Sequence, residues 1–188
     1  MEKPKSYCEA VEAMGEDNVH RRYHDHEYGF PIEDDHLLFA RLVLEINQAG
    51  LSWTTILHKK DHFFRAFDGF DVVRVAGYGP DDIARLMGDP GIIRNRLKVE
   101  ATIHNSQAIL GLQADHGSFK AWLDHHHPLP LQDWMKLFKR TFKFVGGEIV
   151  NEFLMSTGYL PGAHIPACAT FHRVLSQNPK WSTHPLEG

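Results

Sequence analysis

Disulfide-forming capacity is nearly absent from this chain. It has two cysteines in 188 residues, Cys8 and Cys168, close to opposite ends. They are able to pair, but the opening MEKPKSYCEA lacks the apolar core of a secretory leader. The expectation is a soluble, cytoplasmic protein in a reducing compartment, where a lone disulfide is disfavoured. Also missing is any apolar run of bilayer length, so no membrane span is expected. Alternation of apolar and polar residues is absent over any useful length, which argues against a sheet. There is no internal repeat. Positive charge is not in excess: the formal net charge is -4 at pH 7. That gives no support to a broadly basic nucleic-acid surface, while leaving room for a local basic patch.

What is present reads as helix. Apolar residues make up 43% of the chain, enough for a packed interior, and the length suits one domain or two small lobes sharing a core. Helical periodicity runs through IEDDHLLFARLVLEINQAG, where Asp34 or Asp35 can cap the start and Gly50 the end. Further helices are expected in TTILHKKDHFFRAF, in GPDDIARLMGDPG with Pro80 near its start, and in IIRNRLKVEATIHNSQAILGLQADHG. GSFKAWLDHH reads as a short helix, FDGFDVVRVAG as a small turn-and-helix piece, and LQDWMKLFKR and GEIVNEFLMSTG as helices flanking TFKFVG. Residues 125–134, HHHPLPLQDW, carry two prolines and read as a linker or lobe boundary. Residues 1–32 show little periodicity, the tail from Pro161 reads as loop, and its end NPKWSTHPLEG as mobile. The class is all-α.

One carboxylate interrupts an oily helix. Glu45 shares a face with Arg41 and Gln48, at spacings of four and three. Two readings stand: a solvent stripe with a weak ion pair, or a polar stripe lining a cleft. Asn47 adds a polar group beside it. Trp53 lies beyond the helix end, where its ring either fills the core or projects into a groove. Tyr23 and Tyr28, in RRYHDHEYGF, are further flat rings. A planar base with a polar edge suits such a set, since rings stack on its faces and a carboxylate accepts hydrogen bonds or stabilises positive charge.

The 14 histidines make any single histidine weak evidence. A pairing by type is more informative. HIPAC places His164 near Cys168, and Cys8 and His24 offer the same two donors at the other end. Two thiolates and two imidazoles make a closed tetrahedral zinc set, structural because no position is left for water, that would staple both termini. The compact Cys-x-x-Cys pattern is absent, and a chance approach of histidine to cysteine is the alternative. In KLFKRTFKFVGGEIVNEF, Lys136, Lys139, Arg140 and Lys143 precede Gly146 and Gly147. Glycines admit a close backbone approach, and N–H groups opening the next helix can hold phosphate. A helix-hairpin-helix element over 136–156 would grip a DNA backbone without reading sequence, with Lys139, Lys143, Gly146 and Gly147 as contacts. An ordinary turn with a solvated basic face is the alternative. Arg94, Arg96 and Lys98 in GIIRNRLK are expected to add positive charge.

Over residues 8–168 the chain resembles the DNA-3-methyladenine glycosylase I family, within the helix-hairpin-helix glycosylases. The stretches that carry the likeness are YHDHEYGFP, LEINQAGLSWTTIL, GIIRNRLK, FKFVGGEIVNEF and HIPAC, in that order. The resemblance implies a compact two-lobed helical enzyme, one glycosylase domain over 1–188 with interleaved termini. It implies hydrolysis of the N-glycosidic bond of 3-methyladenine in alkylated double-stranded DNA, the first step of base excision repair, by a monomer with no obligate protein partner. Glu45 carries over as the catalytic residue, and Tyr23, Tyr28 and Trp53 as the base pocket, Tyr28 replacing a family tryptophan. Cys8, His24, His164 and Cys168 carry over as ligands of one structural zinc, and Phe142 to Gly147 as the DNA-gripping hairpin. Three departures stand out: CEA after Cys8, where a glycine and an aromatic are usual; His20 in place of a pocket tyrosine; and a shorter segment before the hairpin.

The implied chemistry is modest. Alkylation at N3 makes adenine a cationic, labile leaving group, and no catalytic aspartate is implied. Glu45 would bind the base edge and stabilise charge as the bond stretches. Water would attack the sugar carbon. No lysine lies in the pocket motifs, so neither Schiff base nor strand cleavage is expected. The competing readings are a catalytically silent damaged-DNA binding module and a zinc hydrolase with an open metal position.

Overall fold

The structure is a computed structural model in which residues 4–183 are described. Among these residues all regular structure is helical, and no strand occurs. The α-helices are α1 (Tyr7–Glu12), α2 (Val19–His26), α3 (Asp35–Gln48), α4 (Trp53–Ala66), α5 (Val72–Ala76), α6 (Pro80–Gly88), α7 (Arg96–His116), α8 (Phe119–His126), α9 (Leu131–Thr141), α10 (Gly147–Ser156), α11 (Ala169–Leu175) and α12 (Lys180–Thr183). A 3-10 turn, Asp68–Phe70, lies between α4 and α5. No helix among the described residues is long and apolar enough to cross a membrane.

The chain divides into two compact units. One is the continuous segment Glu33–Phe153, and the other combines the segments before and after it. The divisions fall before α3 and within α10. The proline-rich stretch expected as a lobe boundary instead joins α8 to α9 inside the first unit.

In the continuous unit α3 is buried almost all round. Leu38, Phe39, Leu42, Val43 and Ile46 are fully enclosed. Asp34 is its cap, accepting from the Leu37 N–H, and the helix ends at Gln48, ahead of Gly50 in a left-handed turn (φ +83°). Asp35, one residue inside, fixes another helix: its carboxylate accepts from the backbone N–H groups of Phe119 and Lys120 at 2.8 and 3.0 Å, opening α8. Phe39, Phe63, Phe67 and Phe70 form one aromatic cluster; Phe119 and Trp122 of α8, Phe138 of α9, Phe142 just after it and Phe153 of α10 form a second. Each fully buried ring of this size contributes about 1.5–3 kcal/mol. The long helix α7 braces the unit with polar side chains: Ser106 Oγ donates to the Val72 carbonyl at 2.6 Å, and Gln107 reaches the Ala76 carbonyl.

The second unit contains helices where periodicity was weak. Ser6 caps α1 and Asn18 caps α2, each accepting from a backbone N–H. The tail expected as loop holds α11 and α12. These helices are four to eight residues long, too short to repeat an apolar stripe. Of the end expected to be mobile, Asn178–Thr183 includes α12, and residues 184–188 lie outside the described residues.

Candidate functional site

The candidate residues fall into three groups, each built within one unit. In the unit made of the two chain ends, Cys8 on α1, His24 on α2, His164 in the loop after α10 and Cys168 at the start of α11 come together. All four are buried, and one donor atom from each lies within 4.8 Å of the others. Both cysteines are free thiols, so the disulfide alternative is not realised. Cys8 Sγ lies 3.6 Å from His164 Nδ1, His164 Nδ1 lies 3.1 Å from His24 Nε2, and His24 Nε2 lies 3.7 Å from Cys168 Sγ.

The outer hydrogen bonds fix the histidine tautomers. His24 Nδ1–H donates to the Asp25 carboxylate at 2.7 Å, and His164 Nε2–H donates to the Tyr28 carbonyl at 2.7 Å. Both partners can only accept, so in the neutral rings His24 Nε2 and His164 Nδ1 carry bare lone pairs, directed at one another. Burial pushes the Cys8 thiol up and the His164 imidazolium down, each disfavouring its charged form. Burial opposes ionisation of Asp25, but hydrogen bonds from His24 and Arg21 hold its carboxyl below the ordinary value. A cation bound by all four donors satisfies every one of these atoms, so the residues can hold a metal ion. Gly29 allows the approach: its φ is +80°, and a Cβ there would lie 2.7 Å from Ala163 Cβ.

Sequence reasoning missed two partners here. Asp25 was invisible because a carboxylate beside a histidine has no pattern of its own. Tyr7 was passed over because it precedes Cys8 in an aperiodic stretch. Its hydroxyl meets His20 Nδ1 at 2.9 Å, and its ring packs edge-on against Tyr28 at 5.6 Å. Tyr23 and Tyr28 are both buried, with centroids 5.5 Å apart and planes tilted by 32°.

In the continuous unit, Glu45 is only 5% exposed and Arg41 6%. The solvent-stripe reading is therefore not realised for this pair; Gln48 alone stays partly exposed, its amide donating to the Leu51 carbonyl. Burial pushes the Glu45 carboxyl up to about 8, against the pull of Arg41 and with help from Glu152. A buried carboxyl shifted this far is the kind of group that chemistry uses. Trp53 lies past the end of α3, as expected, and is also the first residue of α4, half-buried behind the cap Ser52.

The third group is the turn between α9 and α10. Lys139, Phe142, Lys143, Phe144, Val145, Gly146 and Ile149 line a shallow concavity. Lys139, Arg140 and Lys143 are exposed, and a Cβ on Gly146 would meet nothing within 4 Å. Gly147 packs close to α9, where a Cβ would come within 2.5 Å of Met135 Cε. The turn is clamped by Asn105, fully buried on α7, which accepts from the Lys143 N–H at 2.7 Å and donates to the Lys143 carbonyl at 3.1 Å. Arg96 pairs with Glu100 in the open, but Lys98 is buried and adds no surface charge.

A family profile described as methyladenine glycosylase matches residues 13–135. The chain is 34% identical over 177 residues to DNA-3-methyladenine glycosylase 1 of Escherichia coli K12, covering 84% of this chain and 94% of that one. It is 32% identical to DNA-3-methyladenine glycosylase of Haemophilus influenzae, with 82% and 94% covered. Among solved structures, 3-methyladenine DNA glycosylase I from Staphylococcus aureus, whose recognition of 3-methyladenine has been determined, superposes with a TM-score of 0.73 at 34% identity, covering 83% of this chain and 93% of that one.

The raised Glu45 carboxyl makes stability depend on pH. The folded state holds this proton up to about 8, whereas the unfolded chain releases it near the ordinary carboxyl value of 4.5. Its contribution is fully present below the unfolded value and is lost as pH rises through the folded one. Glu45→Gln removes that dependence. Urea denaturation at pH 5, 7 and 9 is expected to show the Gln variant gaining on the parent as pH increases. A difference that is flat with pH would contradict it.

Proposed function

Because the chain belongs to the methyladenine glycosylase family, we propose that it hydrolyses the N-glycosidic bond of 3-methyladenine in alkylated double-stranded DNA, the opening step of base excision repair. The observation that carries this reading is a buried, proton-holding glutamate, Glu45, in a chain 34% identical to an enzyme of that name over most of its length. Glu45 is the catalytic residue in this reading. Trp53, Tyr23 and Tyr28 supply aromatic faces to the extrahelical base. The protein acts as a monomeric, cytoplasmic enzyme with no obligate protein partner.

The chemistry follows from charge. At neutral pH the empty site holds Glu45 largely protonated. A cationic methylated base brings positive charge into a low-dielectric site, favours ionisation and draws the proton off to solvent. The carboxylate then faces a cation whose charge spreads toward the sugar as the bond stretches. The bond between the base and the anomeric carbon breaks with its electron pair going to the base, which leaves neutral. Water adds to that carbon and loses a proton. Lys98 is the buried lysine closest in sequence to these motifs, and it is committed to backbone carbonyls, which supports a monofunctional reaction without a Schiff base.

Zinc is the ion that best suits the four-donor cluster. In a tetrahedral site of two thiolates and two imidazoles, sulfur and nitrogen lie about 3.6 Å apart and two nitrogens about 3.3 Å apart. The separations of 3.6, 3.7 and 3.1 Å support that arrangement. Four protein donors complete the set, so zinc here supplies folding energy and leaves no vacancy for the water that a zinc hydrolase needs. The α9–α10 turn is read as the helix-hairpin-helix grip, spanning 136–156 within a single glycosylase domain. Lys139, Lys143 and the backbone at Gly146 and Gly147 are its phosphate contacts.

Four experiments test these assignments. Incubation with randomly methylated duplex DNA should release free 3-methyladenine without strand cleavage; tight binding with every alkylated base retained would instead mark a silent binding module. Glu45→Gln should excise more slowly in single turnover, and the parent's rate with subsaturating enzyme should climb with pH toward a plateau above about 8. Excision at the parent rate would remove Glu45 from the chemistry. Purified protein should carry close to one zinc per chain, and Cys168→Ala should lose both zinc and, by about 2 kcal/mol or more, stability. Retained zinc in that variant would rule out the ligand set. Finally, Gly146→Leu points into open space, so folding should survive while affinity falls alike for every DNA sequence. Unchanged binding would remove the hairpin from the interface.

A further inference from the structure

Lys98 stands where a surface charge was expected, yet only 5% of it is exposed. Its ammonium donates to the Asn47 and Ala49 carbonyls at 3.0 and 2.9 Å, at the carboxyl end of α3. It also lies 5.8 Å from the centroid of the Phe144 ring. Burying an ammonium is unfavourable. Here the negative end of the helix and its unsatisfied carbonyls compensate, and the aromatic face adds to them. An apolar side chain of similar length would fill the space without that cost, so the position is explained by what the charge holds.

Two turns along the same face of α7 lies Asn105, the side chain that clamps the Lys143 backbone. One helix therefore grips two functional elements. Through Lys98 it holds the exit of the Glu45 helix, where the turn leads into Trp53. Through Asn105 it holds the α9–α10 turn. Phe144 links the two grips: it follows Lys143, it is 41% exposed, and its backbone is left-handed at φ +61° although it is not a glycine.

We infer that Lys98 is a positioning residue that couples the hairpin's seat on a DNA backbone, through Phe144, to the turn between Glu45 and Trp53. The inference rests on the hairpin and base-site readings given above. The ammonium fixes the direction of two carbonyls, and a phosphate seated on the hairpin restrains the ring that the ammonium faces. The residue acts on excision through the geometry of the turn, not by touching the base.

The test uses the full chain and separates rate from binding. Lys98→Met keeps the length of the side chain and removes its charge and donors. Affinity is measured on undamaged duplex, and excision in single turnover with saturating enzyme on a duplex containing 3-methyladenine. The expected result is an excision rate lower by about tenfold, with affinity changed less than about twofold and an unaltered salt slope. Lys98→Arg, which keeps charge and donors, should recover part of the rate. Phe144→Ala should also slow excision, and the double variant should be no slower than Lys98→Met alone. Multiplying effects in the double variant would overturn the coupling. So would a weaker affinity with the salt slope reduced by about one and the rate intact, the mark of a plain phosphate contact. If Lys98→Met does not fold, Phe144→Ala carries the test: slowed excision with affinity retained supports the coupling, and weakened affinity alone overturns it. Failure of the underlying readings is seen separately, in parent-like binding by Gly146→Leu or parent-like excision by Glu45→Gln.

Discussion

Two imidazole nitrogens that can only accept lie 3.1 Å apart in a buried corner of this protein. His24 and His164 are each oriented from behind, by a carboxylate and by a backbone carbonyl, so neither can turn to relieve the other. Two buried thiols complete the corner. Such a set repels itself unless a cation is shared, and a shared cation turns four costly groups into one stable knot. The arrangement ties residues from both ends of the chain, and among the described residues the unit they form holds none of the largest fully buried side chains. The largest fully buried side chains lie in the other unit, from Leu38 to Phe153.

The continuous unit shows the opposite economy. Its apolar core is ample, and it places ionisable groups at 5 to 6% exposure: Arg41, Glu45 and Lys98. All three touch one helix. Lys98 closes the end of α3, while Glu45 sits a turn earlier with its proton held by burial. A well-stocked core can carry groups whose energetic cost is set by function, and a glutamate poised near neutrality is suited to answering a cationic ligand with its own ionisation.

Much of this was legible in the residues. Long helices announced themselves: α3, α4 and α7 follow their apolar periodicity and their caps. The two cysteines of the four-donor cluster were legible because the chain has no others, but with 14 histidines the choice of His24 and His164 leaned on the family resemblance. Short helices near the ends were not legible, since α1, α2 and α11 span less than the repeat needed to show a stripe. The burial of Glu45 could not be separated from a solvent stripe, because one helix face looks the same whether it meets water or another helix. Lys98 was misread for a related reason. Surrounded by Arg94 and Arg96, it looks like part of a basic patch, and only packing distinguishes the turned-in cation from its neighbours. Asn105 left no trace at all, since a single amide bonded to a backbone far along the chain has no local spacing.

The division of the chain has a consequence for the order of events during synthesis. Everything needed for the unit from Glu33 to Phe153 is contiguous, so it is complete once Phe153 has left the ribosome. The amino-terminal segment, made first, must wait. Its thiol and imidazole, Cys8 and His24, emerge early but meet His164 and Cys168 only after those residues have been made. Until then the nascent chain carries only two of the four donors, ahead of a unit whose sequence is already complete. The segment before Glu33 thus gains its partners later than the unit that follows it in sequence.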